Sequence, residues 1–276
     1  MIFLFLACTG TKDTATYPNE GSLNLLTYNV HGLPPEITGD DTTARTERIA
    51  PLLSDFDIIG LQEDFIDDNH DILATTVPHP YQDRFNDKVE ESRYYGSGLS
   101  VFSYSLILGS HNTHYTACNG YLDGSSDCLA SKGFQVVEIE LSNGQSIHLY
   151  NTHLEAGGGT EDNQARQVHV DQLVESLQNH SANKAVVFLG DTNLHANDSA
   201  DIPMLEQLLE QGDLLDSCEA VGCPESDHID RIFYRSSTDI ELTVENWSRD
   251  EGFVDEEGND LSDHPAITVT ISWNSQ

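Results

Sequence analysis

Ala185-Val186-Val187-Phe188-Leu189-Gly190-Asp191-Thr192-Asn193 reads as a strand buried on both faces that ends on a carboxylate and an amide. Five consecutive apolar residues leave no polar side for water, which is the pattern of a strand inside a layered α/β core. The Gly-Asp-Thr-Asn that follows places Asp191 and Asn193 where the strand gives way to a cleft. Alone, the run also describes a strand that stops at an ordinary Asx turn. The rest of the chain decides between the two.

Outward from this strand the same event recurs. Leu23 to Val30 is an apolar strand ending at Asn29, and Asp57 to Glu63 is a second buried strand ending in a carboxylate. Between them Thr43 to Ser54 carries Ile49, Leu52 and Leu53 on one helical face. Asp67 to Thr76 reads as a short helix, Val77 to Arg93 as a polar loop with aromatics, and Gly98 to Tyr104 as a strand. His111 to Lys132 is a long loop of the kind that is functional or pinned. Phe134 to Leu141 and Ser146 to His153 flank an Asn-Gly turn, so they form a hairpin that brings His153 to another strand end. Thr160 to Asn179 is a helix with Val170, Leu173, Val174 and Leu177 as its apolar stripe and with Arg166 near its amino end, expected to face the cleft. A helix at Pro203 to Gln211 and strands at Asp227 to Tyr234, Glu241 to Trp247 and Ala266 to Trp273 complete the pattern. Sites of α/β proteins lie at the carboxyl edges of strands, where these polar residues gather.

The 276 residues suit one large domain, because strands and helices alternate without a linker. Residues 1–8 read as the remnant of a bacterial lipoprotein signal ending at Cys8, 9–22 as a flexible tether, and 23–276 as the catalytic domain. The expectation is a protein outside the cytoplasm, secreted or lipid-anchored at the bacterial surface or periplasm, with membrane contact through a lipidated Cys8. The remaining cysteines form two close pairs, Cys118 with Cys128 and Cys218 with Cys223, which suit local disulfides; zinc is the competing reading, although the spacings match no common zinc motif. A formal net charge of -35, from 47 acidic and 12 basic residues, repels polyanions and argues against nucleic acid as partner. A monomer is expected.

Asn29, Glu63, Asp191, Asn193, Asp230 and Asp263 offer oxygen ligands of the kind a hard cation such as Mg²⁺ takes, with Mn²⁺ or another divalent ion as substitute. His153 and His264 can move protons near neutral pH. A metal to neutralise a phosphate, a base for water and an acid for the leaving oxygen make a phosphoryl-transfer set, with no Ser or Cys nucleophile implied.

Tyr28-Asn29-Val30, Gln62-Glu63, Asn151-Thr152-His153, Gly190-Asp191-Thr192-Asn193, Ile229-Asp230-Arg231-Ile232 and Ser262-Asp263-His264-Pro265, in that order, resemble the endonuclease/exonuclease/phosphatase superfamily. The resemblance implies a four-layer α/β/β/α sandwich of two mixed sheets and Mg²⁺-dependent hydrolysis of a phosphoester. It implies Glu63 as principal metal carboxylate with Asn29 beside it, and Asp263 as a further ligand. His264 is implied as general base oriented by Asp230, Asp191 and Asn193 as the pair that positions water and phosphate, and His153 as proton donor or transition-state stabiliser. Lys132-Gly133-Phe134, Asp227-His228-Ile229-Asp230 and Ala165-Arg166-Gln167 resemble the neutral sphingomyelinase branch, which implies a phospholipid headgroup as substrate and Lys132 and Arg166 as phosphate contacts. Departures from that branch are equally plain. Trp247 to Leu261 is short and acidic where bacterial toxins carry an aromatic hairpin, and Tyr95-Gly96 replaces the acidic pair of an accessory metal. The family's downstream cysteine partner is missing, which implies that Cys118 pairs with Cys128. A secreted nuclease, a phosphatase of soluble sugar or inositol phosphates and a non-enzymatic surface protein are the alternatives. The remaining histidines, among them His31, His70, His111, His148, His169 and His180, are expected to be surface or packing residues.

Overall fold

Strands apolar on both sides need protein on both sides, and strands with one polar side can stand at an edge. The computed structural model, which describes residues 18–121, 126–225 and 227–276, obeys this rule. In chain order its strands are β1 (Glu20–Asn29), β2 (Ile58–Gln62), β3 (Tyr81–Phe85), β4 (Leu99–Ser103), β5 (Ile107–His114), β6 (Gly133–Glu140), β7 (Ser146–His153), β8 (Val186–Asp191), β9 (Leu215–Asp216), β10 (Asp230–Arg235), β11 (Ile240–Asp250) and β12 (Ala266–Ser275). Its helices are α1 (Pro35–Thr38), α2 (Thr42–Leu52), α3 (Asp67–Thr76), α4 (Thr160–Asn179), α5 (Ile202–Gly212) and α6 (Ser217–Val221).

The strands form two six-stranded sheets, β11-β12-β1-β2-β4-β3 and β5-β6-β7-β8-β10-β9. Each is mixed: β1 and β2 are parallel in the first, β7 and β8 in the second, and the other pairs are antiparallel. Leu25, Ile58 and Val101 of one sheet pack on Leu149, Val187 and Leu189 of the other to make the central core. Val170, Leu173 and Leu208 from α4 and α5 cover the outer face of the second sheet, and Ile49, Leu53 and Leu73 cover the first. The expected α/β/β/α sandwich is therefore present.

Two expected loops contain strands. β3 lies inside Val77 to Arg93, and β5 runs into the segment from His111. Both are edge strands, paired on one side only, and their polar, partly exposed residues hide the alternation. β1 starts at Glu20, inside the expected tether, because Glu20 to Ser22 pair with Asn274 to Ser272 of β12. The strand expected from Asp227 begins at Asp230. Cys8 and the signal segment lie outside the described residues. No described helix is long and apolar enough to cross a membrane.

Cys118–Cys128 and Cys218–Cys223 are disulfides with Cα atoms 5.2 and 5.0 Å apart, so the disulfide reading holds over zinc at both pairs. Between the sheets a polar pair interrupts the apolar core: Gln62 Nε2 donates to Asn151 Oδ1 at 2.8 Å, and Asn151 Nδ2 donates to the carbonyls of Leu61 and Ser100. All these groups are buried and bonded, so the contact fixes how one sheet lies on the other.

His169 of α4 is fully buried, stacked on Tyr115 at 3.8 Å. Its Nε2 faces the Ala117 carbonyl at 2.8 Å, and its Nδ1 accepts from the Glu155 N–H at 3.2 Å. A second ring proton would meet that N–H head on, and burial already pushes the imidazole down to about 3. Because the folded value lies below the unfolded one, the unfolded chain binds more protons between pH 6.5 and about 3. This site's contribution is thus complete above pH 6.5 and is lost as pH falls, at about 1.4 kcal/mol per unit. His169→Gln keeps both hydrogen bonds and removes the titration. Urea melts at pH 8 and pH 5 are expected to show the wild type losing about 2 kcal/mol more than the variant across that interval. Equal slopes would refute the assignment.

Candidate active site

Both sheets deliver their polar strand ends to one edge. β1 ends at Asn29 beside β2, whose next residue is Glu63. In the second sheet His153 is level with Asp191, and Asp191 is level with Asp230 at the start of antiparallel β10. β12 runs antiparallel to β1, so His264, just before it, arrives at the same edge. Glu63 turns the chain out of β2 with φ +62°, an uncommon conformation for a side-chain-bearing residue. The neighbouring loop must be glycine where it passes: a Cβ at Gly32 would lie 2.1 Å from the Glu63 carbonyl oxygen.

Asn29 joins the two sheets. Its Nδ2 donates to Glu63 Oε1 and to Asp191 Oδ2, each at 3.1 Å, and its Oδ1 accepts from the His31 N–H at 3.0 Å. Burial pushes the Glu63 carboxyl upward; the Asn29 amide and the Lys132 ammonium oppose that shift, and the Asp191 charge adds to it. Glu63 Oε2 is buried without a hydrogen-bond partner among the described residues. An unpartnered carboxylate oxygen linked through Asn29 to a second carboxylate is a donor set that could hold a hard divalent cation, and the ligand atoms of Asp191, Asp230 and His264 lie within 4.8 Å of one another on its other side. Asn29 presents its amide nitrogen to both Glu63 and Asp191, so acting as a ligand itself would require the amide to turn end for end.

On the other flank His264 Nδ1 lies 2.9 Å from Asp230 Oδ2, and its Nε2 lies 3.8 Å from Asp191 Oδ2. Burial alone would lower this imidazole, but the Asp230 hydrogen bond and the charges of Asp191, Asp230 and Asp263 outweigh it and push it up to about 10. Asp230, 1% exposed, is itself raised to about 6 by burial and by Asp191 despite its bond to His264. The two residues share one proton across the gap between the sheets, and it resides on the imidazole. Asn193, at φ +49°, donates its backbone N–H to Asp191 Oδ1 at 3.1 Å and so sits beside that carboxylate.

His153 and Lys132 form the third corner. Lys132 Nζ is 3.1 Å from His153 Nε2, 3.0 Å from Asp127 Oδ1 and 2.7 Å from the Leu154 carbonyl. Burial first, then the Lys132 charge, holds His153 well below the ordinary histidine value. The ring is therefore neutral, and its Nε2 lone pair accepts from the ammonium. Leu33, Phe65, Tyr95 and Leu129 line a mostly apolar cavity of about 130 Å³ that opens onto Glu63, Lys132 and His153.

Two expected site residues lie elsewhere. Arg166 is buried with its guanidinium bound to the carbonyls of Glu155 and Gly157, to Asn163 Oδ1 and to Asp201 at 3.0 Å. It clasps the loop before α4 and does not face the phosphate position. Asp263 has a side chain 59% exposed, and its contacts are to His31 Nδ1 at 3.1 Å and to the Ser262 hydroxyl. None reaches Glu63 or Asp191, so its effect on the site is through charge.

Other contributors carried little signal. The segment after Glu63 is tied at nearly every residue. Asp64 Oδ2 accepts from Ser100 Oγ at 2.6 Å and meets His70 Nδ1 at 2.5 Å. Arg84 of β3 donates to the Asp64 carbonyl and to Asp67, and Asn86 Nδ2 donates to the Phe65 carbonyl. These groups hold Glu63 in its uncommon backbone conformation. His31, expected to be a surface or packing residue, instead pairs with Asp263 and donates its N–H to Asn29, and for Asp127 the place beside the disulfide-bonded Cys128 is the one available hint.

A family model described as the endonuclease/exonuclease/phosphatase family matches residues 26–264. A sphingomyelinase of Mycobacterium bovis is 27% identical over 95% of this chain and 55% of its own length. A putative neutral sphingomyelinase of Drosophila melanogaster is 31% identical over 72% of this chain and 44% of its own. The chain thus spans about half the length of these curated relatives. Among solved structures, a double-mutant beta toxin of Staphylococcus aureus with bound magnesium ions aligns with TM-score 0.69 at 17% identity, covering 90% of this chain and 99% of the toxin.

Proposed function

Because the chain belongs to the endonuclease/exonuclease/phosphatase family, we propose that it is an exported, Mg²⁺-dependent phosphodiesterase of the neutral sphingomyelinase type. It cleaves a phospholipid headgroup ester by in-line attack of water. The observation that supports this most is the meeting of His264–Asp230 and the orphaned Glu63 carboxylate at Asp191, with Lys132 across the same cleft.

When bound at Glu63 and Asp191, a divalent cation supplies positive charge against the scissile phosphate and offsets the carboxylate field that keeps His264 protonated. His264 Nε2 takes the proton of the attacking water while Asp230 holds Nδ1 and thereby the orientation of the ring. Asp191 and Asn193 orient that water. Lys132, held beside the neutral His153, balances charge on the phosphate oxygens, and the departing oxygen takes up a proton from solvent water as it leaves. The bond from phosphorus to water oxygen forms as the bond to the leaving oxygen breaks.

The sphingomyelinase-type relatives point to a choline-bearing lipid, and the formal charge of -35 disfavours a polynucleotide. Purified protein is expected to release phosphocholine from sphingomyelin vesicles in Mg²⁺, to stop on chelation, and to leave plasmid DNA uncut at low salt. Nicked plasmid with intact sphingomyelin would replace this reading with a nuclease.

A further inference from the structure

The apolar cavity of about 130 Å³ beside Lys132 and His153 has a second end, at the protein surface. Ile37 of α1 lines it and is 52% exposed. Tyr95 lines it as well, and the ring of its neighbour Tyr94, 68% exposed, lies 6.5 Å from that of Tyr95. We propose that Ile37 and Tyr94 are a lipid-contact surface, seated in the interfacial layer of a zwitterionic bilayer so that the cavity opens onto the lipid and the alcohol side of the ester reaches Lys132 through it.

Exposed apolar side chains standing singly are ordinary on a protein surface; those gathered at the mouth of a cavity mark a contact. The backbone holds both of these in place. Pro34 and Pro35 open α1, and the N–H groups of Ile37 and Gly39 close it on the Pro34 and Pro35 carbonyls at 2.9 and 2.8 Å. The N–H groups of Tyr94 and Tyr95 both donate to the Leu129 carbonyl, at 2.9 and 3.0 Å, one residue from the disulfide-bonded Cys128. Tyr94 suits an interface in particular, with a ring for the apolar layer and a hydroxyl for the headgroups.

The cavity itself selects the partner, on a step that rests on the phosphodiesterase reading. Water attacking from the His264 side puts the departing oxygen on the side of Lys132, so the alcohol attached to it enters between Leu33, Phe65 and Leu129. At ~30 Å³ for each water-sized group the cavity holds about four. That is enough for the carbons next to the ester oxygen and too little for a chain, so the rest of a long alcohol has to continue past Ile37 into an apolar medium. A bilayer supplies one. The formal charge of -35 repels anionic headgroups and favours a zwitterionic surface, and Leu33 to Ile37 carries a single charge, that of Glu36. The connection from β11 to β12, which leads to His264, is unsuited to the same contact, since Glu251, Glu256, Glu257 and Asp260 are exposed on it.

Trp247 and Trp273 are buried, so a tryptophan placed on the surface reports its own surroundings. Tyr94→Trp and Glu256→Trp are mixed, under chelation, with vesicles of phosphatidylcholine brominated on its acyl chains. Tyr94→Trp is expected to lose emission, while wild type and Glu256→Trp keep theirs. No quenching of Tyr94→Trp, or equal quenching of Glu256→Trp, overturns the surface. In Mg²⁺, Ile37→Asp should slow hydrolysis of sphingomyelin in vesicles by about tenfold more than that of soluble p-nitrophenyl phosphorylcholine. Equal losses on the two esters overturn the route through the cavity. Quenching is read without turnover, so a failed surface and a failed phosphodiesterase reading give different results.

Discussion

On the proposed function, His264→Gln is expected to lower the turnover of sphingomyelin by about 10³-fold, the middle of the range that a positioned general base contributes. The side chain stands at the mouth of the cleft with Nε2 directed toward Asp191 and Nδ1 tied to Asp230 at 2.9 Å. Glutamine retains a donor for Asp230 and so spares the fold, but it has no nitrogen that can take a proton from water. The loss should therefore fall on kcat with KM little changed, measured as phosphocholine release under saturating Mg²⁺. Asp230→Asn should cost less, since the imidazole stays and only its orientation and charge suffer. A His264→Gln protein that retains a tenth of wild-type kcat would remove the base from the mechanism.

Glu63→Gln divides activity from stability. Glu63 Oε2 is buried without a partner, and the carboxyl is pushed upward by burial and by Asp191. Removing the charge relieves both penalties, so the metal-free protein should gain about 1–2 kcal/mol in urea melts under chelation. The same substitution removes the carboxylate from the cation cradle, and turnover should fall by about 10³-fold or more, with Mn²⁺ affinity by electron paramagnetic resonance falling in parallel. A variant that is inactive and also less stable would mean that Glu63 is held by interactions other than those described.

Legibility in the sequence followed the physics of burial. β2 and β8 were plain because every residue in them is buried and apolar patterning is then unbroken. β3 and β5 were hidden because an edge strand needs only one neighbour and can carry polar residues, half-buried at Asp83 and Arg84 and exposed at His111 and Asn112. The same logic sorted the site. Asn29, Glu63, His153, Asp191, Asp230 and His264 sit at ends of central strands, so position along the chain sufficed to bring them together. Arg166 misled because the first turns of a helix give no sign of which carbonyls will claim a guanidinium; here the Glu155 to Gly157 loop and Asp201 do. Asp263 misled because it adjoins His264 yet points to His31.

The residues that would do the chemistry are divided between the two sheets, and the buried amide contact of Gln62 with Asn151 lies beneath the seam. A slip of one sheet past the other by a single residue, about 3.3 Å, exceeds the length of the bond from His264 to Asp230. Neither half can therefore wear out gradually. The enzyme should behave like a clasp, competent while shut and inert once sprung, with no half-active form as it is warmed.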